Sequence, residues 1–111
     1  MDLQQTLDLV TRTLDEGKAR DIEMLDVAKI CSFADAMVVA TGTSTTHVKA
    51  LGESVAQAFK EAGEPPLGVE SGPEPDWLLV DLGNVVVHVM TESARMHYAL
   101  EKLWSVPEPS N

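Results

Sequence analysis

The stretch Thr41-Gly42-Thr43-Ser44 has the residue types of a phosphate-binding turn. It follows an apolar run and precedes an amphipathic one. A small-residue turn between a strand and a helix can bind a phosphate, because unpaired N–H groups and the helix dipole point toward it. The phosphate loop G-x-x-x-x-G-K and the dinucleotide motif G-x-G-x-x-G are both absent. We therefore favour a helix cap at this turn, with a small nucleotide-binding module at Ser44 as one alternative.

A Gly-x-Ser turn after a strand is also found in nucleotidyltransferases. Those enzymes require two carboxylates, usually D-x-D on the next strand, to hold magnesium for phosphoryl transfer. Asp35 stands alone, and the acidic pair Glu74-Pro75-Asp76 lies in a predicted loop. One alternative is thus a magnesium-dependent nucleotidyltransferase that uses Ser44, the acids at 74 and 76, and Asp81. The carboxylate pair that such an enzyme needs on the next strand is missing.

Other catalytic arrangements find little support. A Ser-His-Asp triad would need Ser44 with His47 or His88, but the nucleophile motif G-x-S-x-G is missing. The three histidines, His97 included, are not at metal-ligand spacing. Cys31 is the only cysteine, which excludes an intrachain disulfide and fits a reducing compartment. We predict no enzyme activity, no cofactor, and no catalytic or metal-binding residue.

Length and charge limit the class of partner. A chain of 111 residues corresponds to one domain, and 44% apolar content is typical of a globular protein. The net charge is −10, from 18 acids against 8 bases that are scattered singly. Nucleic acid and anionic membranes are disfavoured, since both attract basic surfaces, whereas a basic protein would be attracted. The sequence has no signal-like N-terminus and no apolar run long enough to span a membrane, so we expect a cytoplasmic protein.

The elements that would position these residues are organised around residues 77–90. This stretch predicts a β-hairpin whose two apolar strands are joined by Gly83-Asn84, a pair suited to primed turns. Because both strands are apolar on nearly every residue, we expect both faces of the hairpin to be covered.

Hydrophobic periodicity and breakers predict the remaining elements. The predicted order is α-β-β-α-β-β-β-α, an α/β fold with one mixed sheet of about five strands and helices packed on it. The predicted elements are a helix from Asp2 to Gly17, strands over 22–27 and 34–40, a helix capped by Thr43 or Ser44 and stopped by Gly63, an edge strand over 67–70, and a last helix capped by Thr91 with Met96, Leu100 and Leu103 as its inner stripe.

Four segments resemble one family in order and spacing. They are G-T-S-T-T-H-V-K-A-L at 42–51, P-L-G-V-E at 66–70, D-W-L-L-V-D-L-G-N-V-V-V-H-V at 76–89, and Y-A-L-E-K-L-W at 98–104. Together they closely resemble the ribosomal silencing factor, or Iojap-like, family over residues 3–105. We therefore expect one such domain over residues 1–105 and a C-terminal tail over 106–111.

The resemblance implies a function. Family members are small cytosolic proteins, usually homodimeric, with a nucleotidyltransferase-like fold that lacks the activity. They bind large-subunit ribosomal protein number fourteen on the 50S subunit, at the face that meets the small subunit. Binding blocks subunit joining and represses translation when nutrients are short. An acidic chain suits this role, because ribosomal proteins are mostly basic and ribosomal RNA repels negative charge.

The hairpin supplies the expected contact residues. Trp77 opens the first strand near the surface, and Leu82 with Asn84 lies at the turn, where side chains project outward. Members of the family commonly have Asp where Asn84 stands. The neutral amide of Asn84 argues against a charge pair here but still permits hydrogen bonding. The alternative interpretation has Trp77 in the core and Leu82 beneath the last helix. The full predicted partner-binding set is His47, Glu70, Trp77, Asp81, Leu82, Gly83 and Asn84.

Overall fold

The computed structural model describes residues 1–30, 32, 34–71 and 76–98. Its elements occur in the predicted order. They are α1 (Leu3–Glu16), β1 (Arg20–Asp26), β2 (Ala36–Gly42), α2 (Thr45–Glu61), β3 (Gly68–Ser71), β4 (Trp77–Asp81), β5 (Val85–Thr91) and α3 (Glu92–Tyr98). Cys31, Leu100, Leu103 and the predicted tail over 106–111 lie outside the described residues.

The five strands form one mixed sheet in the order β1-β2-β5-β4-β3. β2 and β5 run parallel, while the other three neighbouring pairs are antiparallel. This confirms the predicted five-stranded α/β architecture. The hairpin of β4 and β5 is joined to the rest of the sheet through β5, which therefore occupies the centre.

Helices cover the two faces of the sheet unequally. α1 and α2 pack on one face, where Val10, Leu14, Val55 and Phe59 meet the side chains of β2, β4 and β5. On the other face, Ala94 of α3 packs with a second cluster over β2 and β5. β2 and β5 are buried on both faces, so nearly all of their residues are apolar.

Both long helices begin with the caps that the sequence predicts. Asp2 and Gln5 form a reciprocal capping box at the start of α1. Ser44, rather than Thr43, caps α2 by accepting a hydrogen bond from the backbone N–H of His47. The turn at residues 41–44 is thus a helix cap, as we favoured, and its Ser44 hydroxyl is already engaged.

Several sequence predictions need correction. β1 runs from Arg20 to Asp26 and β3 from Gly68 to Ser71, whereas the sequence predicts strands over 22–27 and 67–70. β2 runs from Ala36 to Gly42, two residues later than predicted at each end, and so includes the Thr41-Gly42 pair assigned to the turn. Among the described residues, the outer face of β4 is only partly covered: α3 packs mainly on β5 and β2, and Trp77, Leu79 and Asp81 stay half-buried. Met96 does not belong to an inner stripe, since 76% of it is exposed.

Arg95 explains the orientation of α3. Its guanidinium is buried and donates to the backbone carbonyl of Asp21 at 2.5 Å and to the hydroxyl of Thr41 at 2.9 Å. It also lies 3.7 Å from the carboxylate of Glu23. These contacts turn the 95 position inward, and the next residue, Met96, therefore faces solvent.

The β4–β5 turn confirms the predicted two-residue connection. The N–H of Leu82 donates to the carbonyl of Val85 at 2.9 Å, which leaves Gly83 and Asn84 as the central residues. Gly83 has a φ of +93°, as the first central position of a type II′ turn requires. A side chain at this position would be strained by the backbone conformation, although its Cβ would make only an ordinary van der Waals contact with Leu67 Cδ1 at 3.6 Å.

Gly83→Ala should therefore lower the free energy of unfolding by about 1–2 kcal/mol, the cost of forcing a non-glycine residue to positive φ. Urea denaturation measures the change. Gly68→Ala is the matched control, because Gly68 has no positive φ and an added Cβ there meets no atom within 4 Å. Equal stability of Gly83→Ala and the wild type would contradict the turn assignment.

Candidate partner-binding surface

β4 presents one buried side and one accessible side. Leu78 and Val80 are buried beneath α2, where Gly52 brings the helix so close that a Cβ would lie 2.2 Å from Leu78 Cδ2. Trp77, Leu79 and Asp81 alternate with them and are half-buried on the opposite side. This is the alternation that the sequence predicts for β4.

The edge strand extends the accessible side. Glu70 of β3 is exposed and pairs with Leu79 of β4. Because directly paired residues share a face of the sheet, Glu70 stands beside the row of Trp77, Leu79 and Asp81. We call these four residues the β3–β4 surface: Glu70, Trp77, Leu79 and Asp81.

The turn residues adjoin this surface at one end. The Asp81 carboxylate accepts a hydrogen bond from the N–H of Gly83 at 2.9 Å, and the Asn84 carbonyl accepts one from Asp35 at 2.8 Å. Leu82, Gly83 and Asn84 are all half-exposed.

Two alternatives raised by the sequence can now be judged. Leu82 does not lie beneath the last helix; it packs against the cluster under α1 and α2, because it falls on the same side of the hairpin as Leu78 and Val80. Trp77 packs against the α3-side cluster but remains half-exposed, so it is neither a core plug nor a fully projecting side chain.

His47 lies apart from the other six predicted positions. It occupies the first turn of α2, on the sheet face opposite to the β3–β4 surface. Its Nδ1 accepts from the backbone N–H of Thr43 at 2.9 Å, which leaves the ring proton on Nε2 to donate to the Gly17 carbonyl at 2.8 Å. Nε2 therefore connects α2 to the end of α1, while Nδ1 holds the turn that precedes α2.

A buried histidine supports the indole of Trp77. The indole Nε1–H donates to His88 Nδ1 at 3.0 Å, and the two ring centroids are 5.7 Å apart. His88 lies in the central strand β5 and is only 6% exposed. Burial lowers the pKa of His88 from 6.5 to about 4, since desolvation disfavours the charged imidazolium.

Sequence reasoning missed this pair. From its residue type alone, His88 is a candidate only for a catalytic triad or a metal site, and neither connects it with Trp77. The available signal was the register of the hairpin, because Trp77 and His88 are diagonal neighbours across β4 and β5.

The charge of this region has one sign. Residues 67–71 and 76–91 contain Glu70, Asp76 and Asp81 but no Lys or Arg. The β3–β4 surface therefore combines an apolar centre, Trp77 and Leu79, with carboxylates and no compensating base from its own strands. Such a surface fits a basic partner that also carries apolar groups.

Two features are absent from the described part of the chain. Within it, no group of three or more His, Cys, Asp or Glu side chains is arranged to hold a metal ion. None of its helices is long and apolar enough to cross a membrane.

The fold and this surface define a small mixed α/β domain with an acidic, partly apolar patch on one side of its sheet. A family model described as "Ribosomal silencing factor during starvation" matches residues 1–110. The chain belongs to this family of ribosomal silencing factors, which confirms the resemblance noted in the sequence.

Individual relatives agree with this assignment. The ribosomal silencing factor RsfS of Chromobacterium violaceum is 43% identical over 110 residues, covering 99% of this chain and 90% of that protein. A crystal structure of a Chromobacterium violaceum protein superposes with a TM-score of 0.90 at 43% identity, covering 99% of this chain and 92% of the other.

A more distant relative is named for the large ribosomal subunit. It is the mouse protein "Mitochondrial assembly of ribosomal large subunit protein 1", which is 33% identical over 103 residues, covering 90% of this chain and 45% of that protein. The specific likeness to nucleotidyltransferases stays a prediction.

The buried neutral state of His88 makes stability depend on pH. Below pH 6.5 the unfolded chain protonates this histidine, whereas the folded chain does so only near pH 4. The contribution of His88 to the free energy of unfolding should therefore fall as the pH decreases from about 6.5 to 4, by about 3 kcal/mol in total. Urea denaturation at several pH values measures this slope.

His88→Gln is the control for this prediction, because glutamine does not titrate while its amide oxygen can still accept from Trp77. Subtracting its pH profile removes the contribution of the carboxylates. Identical slopes for the two proteins between pH 6.5 and 4 would show that His88 is not held neutral by burial.

Proposed function

We propose that this chain silences ribosomes by binding large-subunit ribosomal protein number fourteen on the 50S subunit and sterically blocking the joining of the small subunit. The observation that carries the proposal is the β3–β4 surface, where an indole and a leucine side chain are flanked by two carboxylates. Membership of the silencing-factor family supports the same conclusion. The site of action we propose is the cytoplasm, with translation repressed under nutrient limitation.

The composition of the surface suits a protein partner. Trp77 is half-exposed and held at its ring nitrogen, and tryptophan is enriched among residues that dominate binding energy at interfaces. Leu82, Gly83 and Asn84 extend the contact at the turn. Glu70 and Asp81 would meet basic groups of the partner, while ribosomal RNA would be repelled by the same carboxylates. We therefore propose contacts to protein and no specific contact to nucleic acid.

The layered fold accounts for a steric block. The β3–β4 surface lies on one side of the sheet, and α1 and α2 cover the opposite side. When the surface is occupied by a large-subunit protein, the helical layer points away from that protein. In this orientation the bulk of the domain fills the space that the small subunit must enter.

Two further proposals concern organisation. We propose a single silencing-factor domain over residues 1–105, followed by a tail over 106–111.

We also propose a homodimer. It is supported by an apolar cleft of about 350 Å³ between α1 and β1, where Leu3, Met24 and Leu25 leave apolar surface accessible.

Removing the indole should weaken binding to the 50S subunit while the protein remains folded. Trp77→Ala should weaken binding to purified 50S subunits by about 30-fold, because truncation of a central tryptophan typically costs at least ~2 kcal/mol. Co-sedimentation measures the affinity, and light scattering of mixed subunits measures joining. Gln57→Ala is the control, since Gln57 is exposed on α2, on the opposite side of the sheet and outside the α1–β1 cleft, and should bind as the wild type does.

Two outcomes would count against this surface. One is wild-type affinity in a folded Trp77→Ala protein. The other is equal loss of binding in Gln57→Ala, which would mean that the partner contacts the helical side of the sheet. His47→Ala tests the position that lies apart, because loss of binding without loss of stability would assign His47 to the interface as well.

Association should depend on salt. The net charge of −10 attracts a basic partner over distances that salt screens, so the on-rate for the 50S subunit should fall as salt rises from 50 to about 300 mM while the off-rate changes less. Stopped-flow fluorescence measures both rates. Glu70→Gln should flatten the dependence, whereas an on-rate independent of salt would restrict the role of the charge to solubility.

The homodimer is tested by mass. Light scattering should give about 24 kDa, twice the 12.0 kDa chain, at micromolar concentration. Met24→Asp places a charge in the apolar cleft and should shift the population toward 12.0 kDa if this cleft forms the contact. A mass of 12.0 kDa for the wild type at every concentration would exclude the dimer.

A further inference from the structure

The indole of Trp77 forms a hydrogen bond beneath the accessible surface. Its Nε1–H donates to His88 Nδ1 at 3.0 Å. The planes of the two rings are tilted by 38°. An indole N–H can only donate, so His88 must present an unprotonated Nδ1 to it. The bond therefore selects the neutral tautomer of His88 with its proton on Nε2.

His88 is well placed to hold this bond firmly. It pairs with Leu79 on one side and with Val39 on the other, in the middle of the central strand. Neighbouring strands restrain its backbone on both sides, and its side chain is nearly inaccessible. Burial keeps the imidazole neutral at pH 7, so that its acceptor nitrogen stays available.

Trp77 is less restrained by its own surroundings. It is the first residue of β4, and it is half-buried, whereas Met90, its partner across the strand pair, is fully buried. Packing alone therefore restrains only part of the ring. A hydrogen bond from the edge of the indole to a fixed acceptor restrains the orientation of the remaining part.

We propose that His88 is a positioning residue for partner binding, which holds the indole of Trp77 in the orientation that the large subunit recognises. This inference rests on the proposed function, since it assumes that Trp77 contacts the partner. His88 itself lies below the surface and needs no contact with the partner. Its effect on affinity arises because a side chain already fixed in its bound orientation loses less freedom on binding.

The test compares substitutions that differ in the acceptor. His88→Leu removes it and should weaken binding to purified 50S subunits about fivefold, the effect of one net hydrogen bond. His88→Gln keeps an acceptor oxygen and should restore most of the affinity. Met90→Leu is the matched control, because Met90 is buried opposite Trp77 and its replacement leaves the acceptor on His88 in place, so this variant should bind as the wild type does.

A spectroscopic measurement reports the bond directly. The indole N–H resonance of Trp77, assigned by its disappearance in Trp77→Phe, should exchange slowly with solvent in the wild type and in His88→Gln. It should exchange rapidly in His88→Leu. This measurement on the wild type decides the presence of the bond even if His88→Leu does not fold, and the Gln variant then decides the effect on affinity.

The outcomes separate the two proposals. If Trp77→Ala loses binding while folded His88→Leu binds as tightly as the wild type, His88 does not position the indole and the surface stands. If Trp77→Ala retains full affinity, the proposed surface is wrong. A fast-exchanging indole N–H in the wild type, or a His88→Gln variant as weak as His88→Leu at equal stability, would also overturn the positioning role.

Discussion

The parallel pairing of β2 with β5 is the contact on which the rest of this structure depends. Seven consecutive residue pairs join the two strands, from Ala36 with Val85 to Gly42 with Thr91. Parallel neighbours must be covered on both faces, because the connection between them places helices over the sheet. The pairing therefore creates a need for α1 and α2 on one side and for α3 on the other. It also places the hairpin so that β5 is central and β4 comes next to the edge.

The position of β4 explains how one short strand serves both folding and recognition. Its buried side meets α2 across Gly52 and belongs to the main core. Its other side lies beyond the reach of the described part of α3, which packs on β5 and β2. Trp77, Leu79 and Asp81 are consequently half-exposed on a rigid support. A surface mounted on a paired strand keeps its shape better than one mounted on a loop, which suits a protein that acts by occupying a site.

Charged side chains have different roles on the surface and in the interior. Most acids lie on exposed positions, and the region from β3 to β5 has carboxylates without bases of its own. The buried cation Arg95 acts in the interior instead. It donates hydrogen bonds to a backbone carbonyl and to a buried hydroxyl between α3, β1 and β2. The negative surface charge favours a basic protein over RNA, while the single buried guanidinium orients a short helix that would be marginal alone.

The sequence by itself determined the features that depend on near neighbours. Asp2 and Ser44 cap helices through residues three positions away, and Gly83-Asn84 permits the turn because only glycine adopts its φ without strain. The continuous apolar run of β5 indicated a strand covered on both sides. The four quoted segments also identified the family, because their joint order and spacing are far more specific than any one of them.

Only the tertiary structure decided which distant residues meet. His88 lies 11 residues from Trp77, His47 lies 30 from Gly17, and Arg95 lies 54 and 74 from its two acceptors. No local periodicity reports such pairs, so Met96 was assigned to the inside of α3 and His88 was not connected with Trp77. The physical reason is that helix and strand patterns record only how apolar each position is. Which polar side chain satisfies a given buried group depends on how the packed elements are aligned, and that alignment is set by the assembled sheet.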